Sequence, residues 1–251
     1  MPKKPIRIIE GESKPHARFW NWVPRAESDP DSQAEIQFYG YISEYSWWDD
    51  DITPAKFRED LAKYGAGGPI TVRIHSGGGD VWAASAIRAM LSDYDAHVTC
   101  RIDGLCASAA VAVALAGDEI IIQDSAYMMI HNPGYTMLWG WMNAETLREL
   151  SAHLDKTAES LVDIYAKRTG LPKDDVIQMM GKETWMTAQN AVDFGFADRM
   201  ATGGKIAESN PSVQNLIQNC VNPPKGLLSP PRLSAQAELL RTRVRTILNP
   251  F

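Results

Sequence analysis

An α/β fold built on a largely parallel sheet is predicted by three features of this 251-residue chain. From Glu35 onward, short β-rich runs alternate with helix-like runs, the order that crossover connections between parallel strands produce. Two turns of very small residues, SGGGD at 76–80 and GLCASAA at 104–110, each follow a β-rich run. Open α/β sheets bind ligands at strand C-terminal ends, so both turns are expected on one edge.

Residues 1–34 are polar and Pro-punctuated and read as an N-terminal arm with one aromatic knot, FWNWV. EIQFYGYIS alternates like a strand. The run WWDDDITPAKFREDLAKYG comes next, with a helix capped by Thr53 and Pro54 at its first position. PITVRIH (69–75) is a second strand and DVWAASAIRAMLSDY (80–94) a helix. HVTCRIDG (97–104) is a third strand, ended by a turn that Gly104 permits, and SAAVAVALAG a helix of small residues. EIIIQDSAYMMIH holds two short strands.

A long helix is expected over 143–168, stopped by Gly170 and Pro172. Its stripe of Leu147, Leu150, Leu154, Thr157, Leu161 and Ile164 has spacings of three and four, suited to packing on another helix or on its own domain. PKDDVIQMM is a further short helix, and ETWMTAQNAVDFGFADRM closes a domain spanning 35–203. Residues 204–251 carry two Pro-Pro pairs and one possible amphipathic helix over 233–248, which reads as a linker and tail able to bind a scaffold or be self-cleaved.

Composition narrows the function. Hydrophobic residues at 45% and charged ones at 22% are those of a soluble globular protein. A net charge of −6 without a Lys/Arg block argues against nucleic acid as a partner. Cys100, Cys106 and Cys220 form no CxxC pair and no metal-ligand spacing, so neither a disulfide framework nor a metal is expected, and a reducing cytoplasmic compartment is. The longest apolar run, near Val111 to Leu115, is too short to span a bilayer, and no secretory signal is read at the start.

The chemistry lies in Ser108 and His131. A serine at a helix start is most often an N-cap. Here it sits among Ala107, Ala109 and Ala110, which leave room for a substrate, and a helix beginning there aims its first amides at a developing oxyanion. His131 ends the strand YMMIH and is exposed by the turn HNPG. His75, beside the glycine turn, is the rival base; His16, His97 and His153 lie in the arm, at a strand start and on the long helix. The glycine turn lacks phosphate-loop spacing and reads as an oxyanion donor, with Gly79 N–H and Ala109 N–H converging on the charge. For the acid that orients the imidazole, Glu183 is favoured over Asp124, Asp155 and Asp103. Nucleophile, base and oxyanion donors together define a serine peptidase needing no cofactor.

The succession IHSGGG, GLCASAA, MMIHNP and TAQNAVDFGFAD resembles the proteolytic subunit of the Clp protease, over roughly residues 35–203. RFWNWV and DDDITP are similar to the phage-type head maturation (prohead) branch. The resemblance implies a Clp/crotonase-type α/β spiral of ββα units, with the helix 143–168 protruding as a handle. It implies an ATP-dependent Clp-type serine endopeptidase with Ser108 as nucleophile, His131 as base and Gly79 with Ala109 as oxyanion donors. Glu183 stands where the family carries its triad aspartate, SGGG where it carries SPGG, and ASAA where it carries AASM. Implied partners are further copies in a heptameric ring or double ring, an AAA+ unfoldase, or phage scaffold and capsid proteins, in the host cytoplasm or an assembling prohead. The alternatives are a catalytically quiet ring or scaffold component and a crotonase-type acyl-CoA hydratase or isomerase.

Overall fold

The computed structural model describes residues 22–23, 33–44, 53–135 and 141–201. Most of the polar arm, the WWDDDI run, the Pro-Pro linker, Cys220 and the 233–248 segment lie outside the described residues.

Among the described residues eight strands form one sheet. β1 (Trp22–Val23) pairs antiparallel with β2 (Ala34–Phe38) at one edge. β2, β3 (Ile70–Ser76), β4 (Val98–Ala107), β5 (Glu119–Gln123) and β8 (Arg199–Ala201) then run parallel in that order. Period two decides which face is buried: Ile70, Val72 and Ile74 are fully enclosed while Thr71 and Arg73 between them are half-buried.

Crossover helices cover the buried face. α1 (Pro54–Asp60) is capped by Thr53, starts at a proline and continues as a π-helical turn to Gly65. Its Phe57 meets Phe38 edge-on at 5.6 Å between ring centroids. α2 (Val81–Ser92) starts at Asp80, whose Oδ1 accepts from Ala83 N at 2.7 Å. α3 (Ala109–Ala114) is buried along its whole length, and alanine and valine suit a helix packed against both sheet and neighbouring helices.

β4 is longer than the sequence predicts, and it changes partners along its length. Thr99–Ile102 pair with β5, whereas Leu105–Ala107 pair with β6 (Tyr127–Ile130). The change coincides with a bulge. Ile74 faces Ile102 but Ser76 faces Cys106, so two steps along β3 match four along β4. Such an insertion bends the strand and re-aims the residues beyond it, here Ser108. Gly104 lies inside this strand rather than at a turn, and its missing side chain makes room for the His75 ring.

α4 (Ala144–Thr169) begins at Asn143, whose side chain accepts from Thr146 N at 2.8 Å, and ends at Gly170. The leucine stripe divides. Leu161 is buried with Val162 and Tyr165, and Tyr165 packs edge-on against Phe196 at 5.8 Å. Leu147, near the other end, is 48% exposed, so the first half of the helix stands clear of its own core. α5 (Lys173–Gly181), β7 (Thr184–Thr187) and α6 (Ala188–Asp193) complete the unit, α6 opening with a Thr187–Asn190 capping box. No helix among the described residues is long and apolar enough to cross a membrane.

Candidate active site

Ser108 follows the last residue of β4 and precedes the first of α3. It stands at the N-cap position of α3 without capping it: its side chain accepts no capping hydrogen bond, and its backbone has a positive φ, at φ 55°, ψ −128°. A non-glycine residue in that region is strained and is held by its surroundings, as at the sharp strand-to-helix turn that presents a nucleophilic serine. Ser108 N–H donates to Met129 O at 2.8 Å, and Val111 N–H donates to Ser108 O at 3.0 Å.

His131 follows β6 directly. β6 pairs with β4 over Leu105–Ala107, so the two strand ends lie side by side and deliver both residues to one edge. His131 Nε2 lies 2.7 Å from Ser108 Oγ, within proton-transfer reach. Partial burial lowers the imidazole pKa below its ordinary 6.5, while the Glu183 carboxylate pulls it the other way.

Glu183 comes from the opposite strand. β7 runs antiparallel to β6 with Met129 facing Trp185 and Ile130 facing Thr184. The ladder ends at Ile130 opposite Thr184, so His131 and Glu183 each stand one residue beyond it, and the Glu183 charge acts on the imidazole. Glu183 has φ 53°, and its Oε1 accepts from Trp185 Nε1 at 3.1 Å.

The glycine turn lies against the same edge. A Cβ on Gly78 would stand 2.6 Å from Ala107 O, 2.8 Å from Ser108 Cβ and 2.9 Å from Ala109 N. Gly78 and Gly79, at φ 93° and 142°, take up backbone that other residues resist. Ile42 N–H donates to Gly78 O at 2.9 Å and Asp80 N–H to Ile42 O at 2.8 Å. In a parallel ladder this turns the N–H of the intervening Gly79 away from Ile42. Ala109, as the first residue of α3, has an N–H with no intrahelical acceptor.

The rival residues lie in other surroundings. His75 is 6% exposed, its Nδ1 accepts from Leu105 N–H at 3.2 Å, and it packs edge-on against Tyr39. Asp103 is 1% exposed and is held by Arg73 through Nε at 2.7 Å and Nη2 at 2.8 Å, and by Tyr39 Oη at 2.5 Å. Asp124 and Asp155 are exposed, and His97 pairs with Asp118. Sequence reasoning missed Gly78 and Trp185. Glu183 stands at φ 53° just before β7, so strand alternation does not relate it to Trp185 and the sequence carried no signal for that contact.

The model of the Clp protease family matches residues 61–203, more than half of the chain. The chain belongs to the Clp protease family. Proteolytic subunit 1 of the ATP-dependent Clp protease of Chlamydia caviae is 31% identical over 137 residues, 53% of this chain and 70% of that protein. The same subunit of Protochlamydia amoebophila is 31% identical over 147 residues, covering 57% and 70%. A solved ClpP1 variant from Listeria monocytogenes matches with a TM-score of 0.57 at 20% identity, over 67% of this chain and 91% of that one. This Clp protease therefore has the ClpP-like α/β fold, and the hydratase or isomerase alternative is not favoured. It is a Clp-type serine protease.

Proposed function

We propose that this Clp protease is an endopeptidase in which Ser108 is the nucleophile, His131 the general base and acid, and Glu183 the group that orients His131. The 2.7 Å approach of His131 Nε2 to Ser108 Oγ carries the reading. His131 takes the hydroxyl proton as Oγ bonds to the scissile carbonyl carbon, and the carbonyl π pair moves onto oxygen. Gly79 and Ala109 N–H groups receive that oxyanion; one such donor supports about 2.7–4 kcal/mol of transition-state stabilisation. The C–N bond then breaks, the leaving amine takes the proton from His131, and an ester on Ser108 remains. Water attacks the ester while His131 removes its proton, and the carboxylic acid departs with Ser108 restored. Burial favours the neutral imidazole that the first step needs.

A groove of about 780 Å³ between α4, α5 and the turn after His131 supports a track for the polypeptide, lined by Pro133, Leu154 and Ile177 together with Asp155, Glu159 and Lys173. The uncovered first half of α4 supports a homo-oligomer, read as a heptameric ring or double ring. Peptide hydrolysis itself consumes no ATP, so any ATP dependence belongs to an unfoldase partner. The likeness of RFWNWV and DDDITP to the phage branch supports a head maturation role on scaffold and capsid proteins, in host cytoplasm or prohead.

A fluorophosphonate label with peptide mapping tests the reaction. The adduct is expected on Ser108 and lost in Ser108→Ala, with the fold retained. An unlabelled Ser108 in folded protein refutes the assignment and favours the quiet scaffold component. New termini on capsid or scaffold proteins incubated with the native chain, absent with Ser108→Ala, test the head maturation role.

A further inference from the structure

We infer that Trp185 is a positioning residue that holds the glutamate of the triad on its histidine, an inference that rests on the roles proposed above for Ser108, His131 and Glu183. A glutamate has one more rotatable bond than an aspartate, so more side-chain freedom must be removed before its charge stands in one place. Two features remove it. The backbone of Glu183 is fixed at φ 53°, and its N–H donates to Met180 O at 3.2 Å at the end of α5. The Trp185 indole N–H, which can only donate, then ties down Oε1 at 3.1 Å.

Trp185 is itself referenced to the reacting groups. It faces Met129 across the β6–β7 ladder, and the carbonyl of Met129 accepts from Ser108 N–H. Base, acid and indole thus hang from the β6–β7 pair, and the nucleophile is hydrogen-bonded to it from the end of β4. A donor to a carboxylate favours its charged form. The charge it holds in turn supports the imidazolium that forms when Ser108 is deprotonated. A phenylalanine fills most of the same space and supplies no donor.

The test uses the full chain and the rate at which a fluorophosphonate labels Ser108, measured against pH. Trp185 is replaced by phenylalanine and, separately, by benzothienylalanine, which keeps the shape of the indole and lacks the N–H. Each replacement is expected to slow labelling about tenfold at neutral pH, the scale of one hydrogen bond to a charged group. The midpoint of the pH–rate curve is expected to move to lower pH, because a less well-aimed carboxylate raises the His131 pKa less. Adding Glu183→Gln is expected to cost much less in the indole-free background than in the native one. Native rate and midpoint with benzothienylalanine, or full additivity with Glu183→Gln, would overturn the role of Trp185 alone. No labelling of the native protein would overturn the serine assignment and this inference together.

Discussion

The imidazole of His75 occupies the space that a side chain on Gly104 would fill: a Cβ there would stand 2.7 Å from Nδ1. The ring is also tied to the next residue, since Nδ1 accepts from Leu105 N–H. Gly104→Ala must therefore push a buried ring or break that bond. A loss of about 1–3 kcal/mol is expected, read as a lower melting temperature. Trimming His75 to alanine in the Gly104→Ala background should return part of it. An unchanged melting temperature in Gly104→Ala would count against this packing.

Ser108 carries its strain in a backbone of positive φ. Ser108→Gly is expected to melt higher than Ser108→Ala by about 1 kcal/mol, because glycine adopts that conformation freely. Both variants should lose fluorophosphonate labelling. Equal stability of the two would show that the surrounding structure relaxes at this turn.

Gly78 faces the opposite constraint, with Ala107 O, Ser108 Cβ and Ala109 N all inside normal contact distance of an added Cβ. Gly78→Ala is expected to displace the nucleophile or the adjoining amide and slow labelling by about 10²-fold or more, the scale of losing one oxyanion donor. Labelling at the native rate would exclude that close approach.

His75 and His131 both have folded pKa values below the ordinary 6.5, in each case mainly through burial. Above that value both are neutral, folded or unfolded, and they leave stability independent of pH. As pH falls through 6.5 the unfolded chain takes up protons that the folded chain does not, so stability declines until the folded pKa values are passed. Labelling of Ser108 should fall over the lower part of the same range, as His131 protonates. Melting temperatures and labelling rates measured across that range check both, and His75→Ala should flatten the stability decline without moving the labelling midpoint.

Asp103 is a buried carboxylate held by two bonds from Arg73. Asp103→Ala leaves the guanidinium without its main partner, and a loss of about 3 kcal/mol is expected in chemical denaturation. Replacing both, as Asp103→Leu with Arg73→Met, should cost less than the single change. A single change costing under about 1 kcal/mol would mean that solvent already screens the pair.

Local pattern was enough for much of this molecule. Alternation in EIQFYGYIS and the β-rich runs PITVRIH and EIIIQ marked strands, and Thr53 with Pro54, Gly170 and the small residues after Ser108 marked helix ends and a helix of small residues. Those signals depend on near neighbours, which a sequence displays directly. Ser108 and His131 were also legible, because each stands where a β-rich run stops and a turn begins.

The tertiary structure decided what depends on pairing between distant segments. The two extra residues of β4 opposite Ile74–Ser76 bend that strand onto β6, and no local propensity encodes such a partner change. The β6–β7 register sets Trp185 across from Met129 and ends one residue short of His131 and Glu183, a placement that chain order alone does not give. Asp103 and His75 are buried among Arg73, Tyr39 and Leu105, a property of the packed sheet and not of their neighbours along the chain. Residue type and spacing pointed to candidate reacting groups; which of them share one edge depends on strand register, because hydrogen-bonded ladders bring together positions that chain order keeps apart.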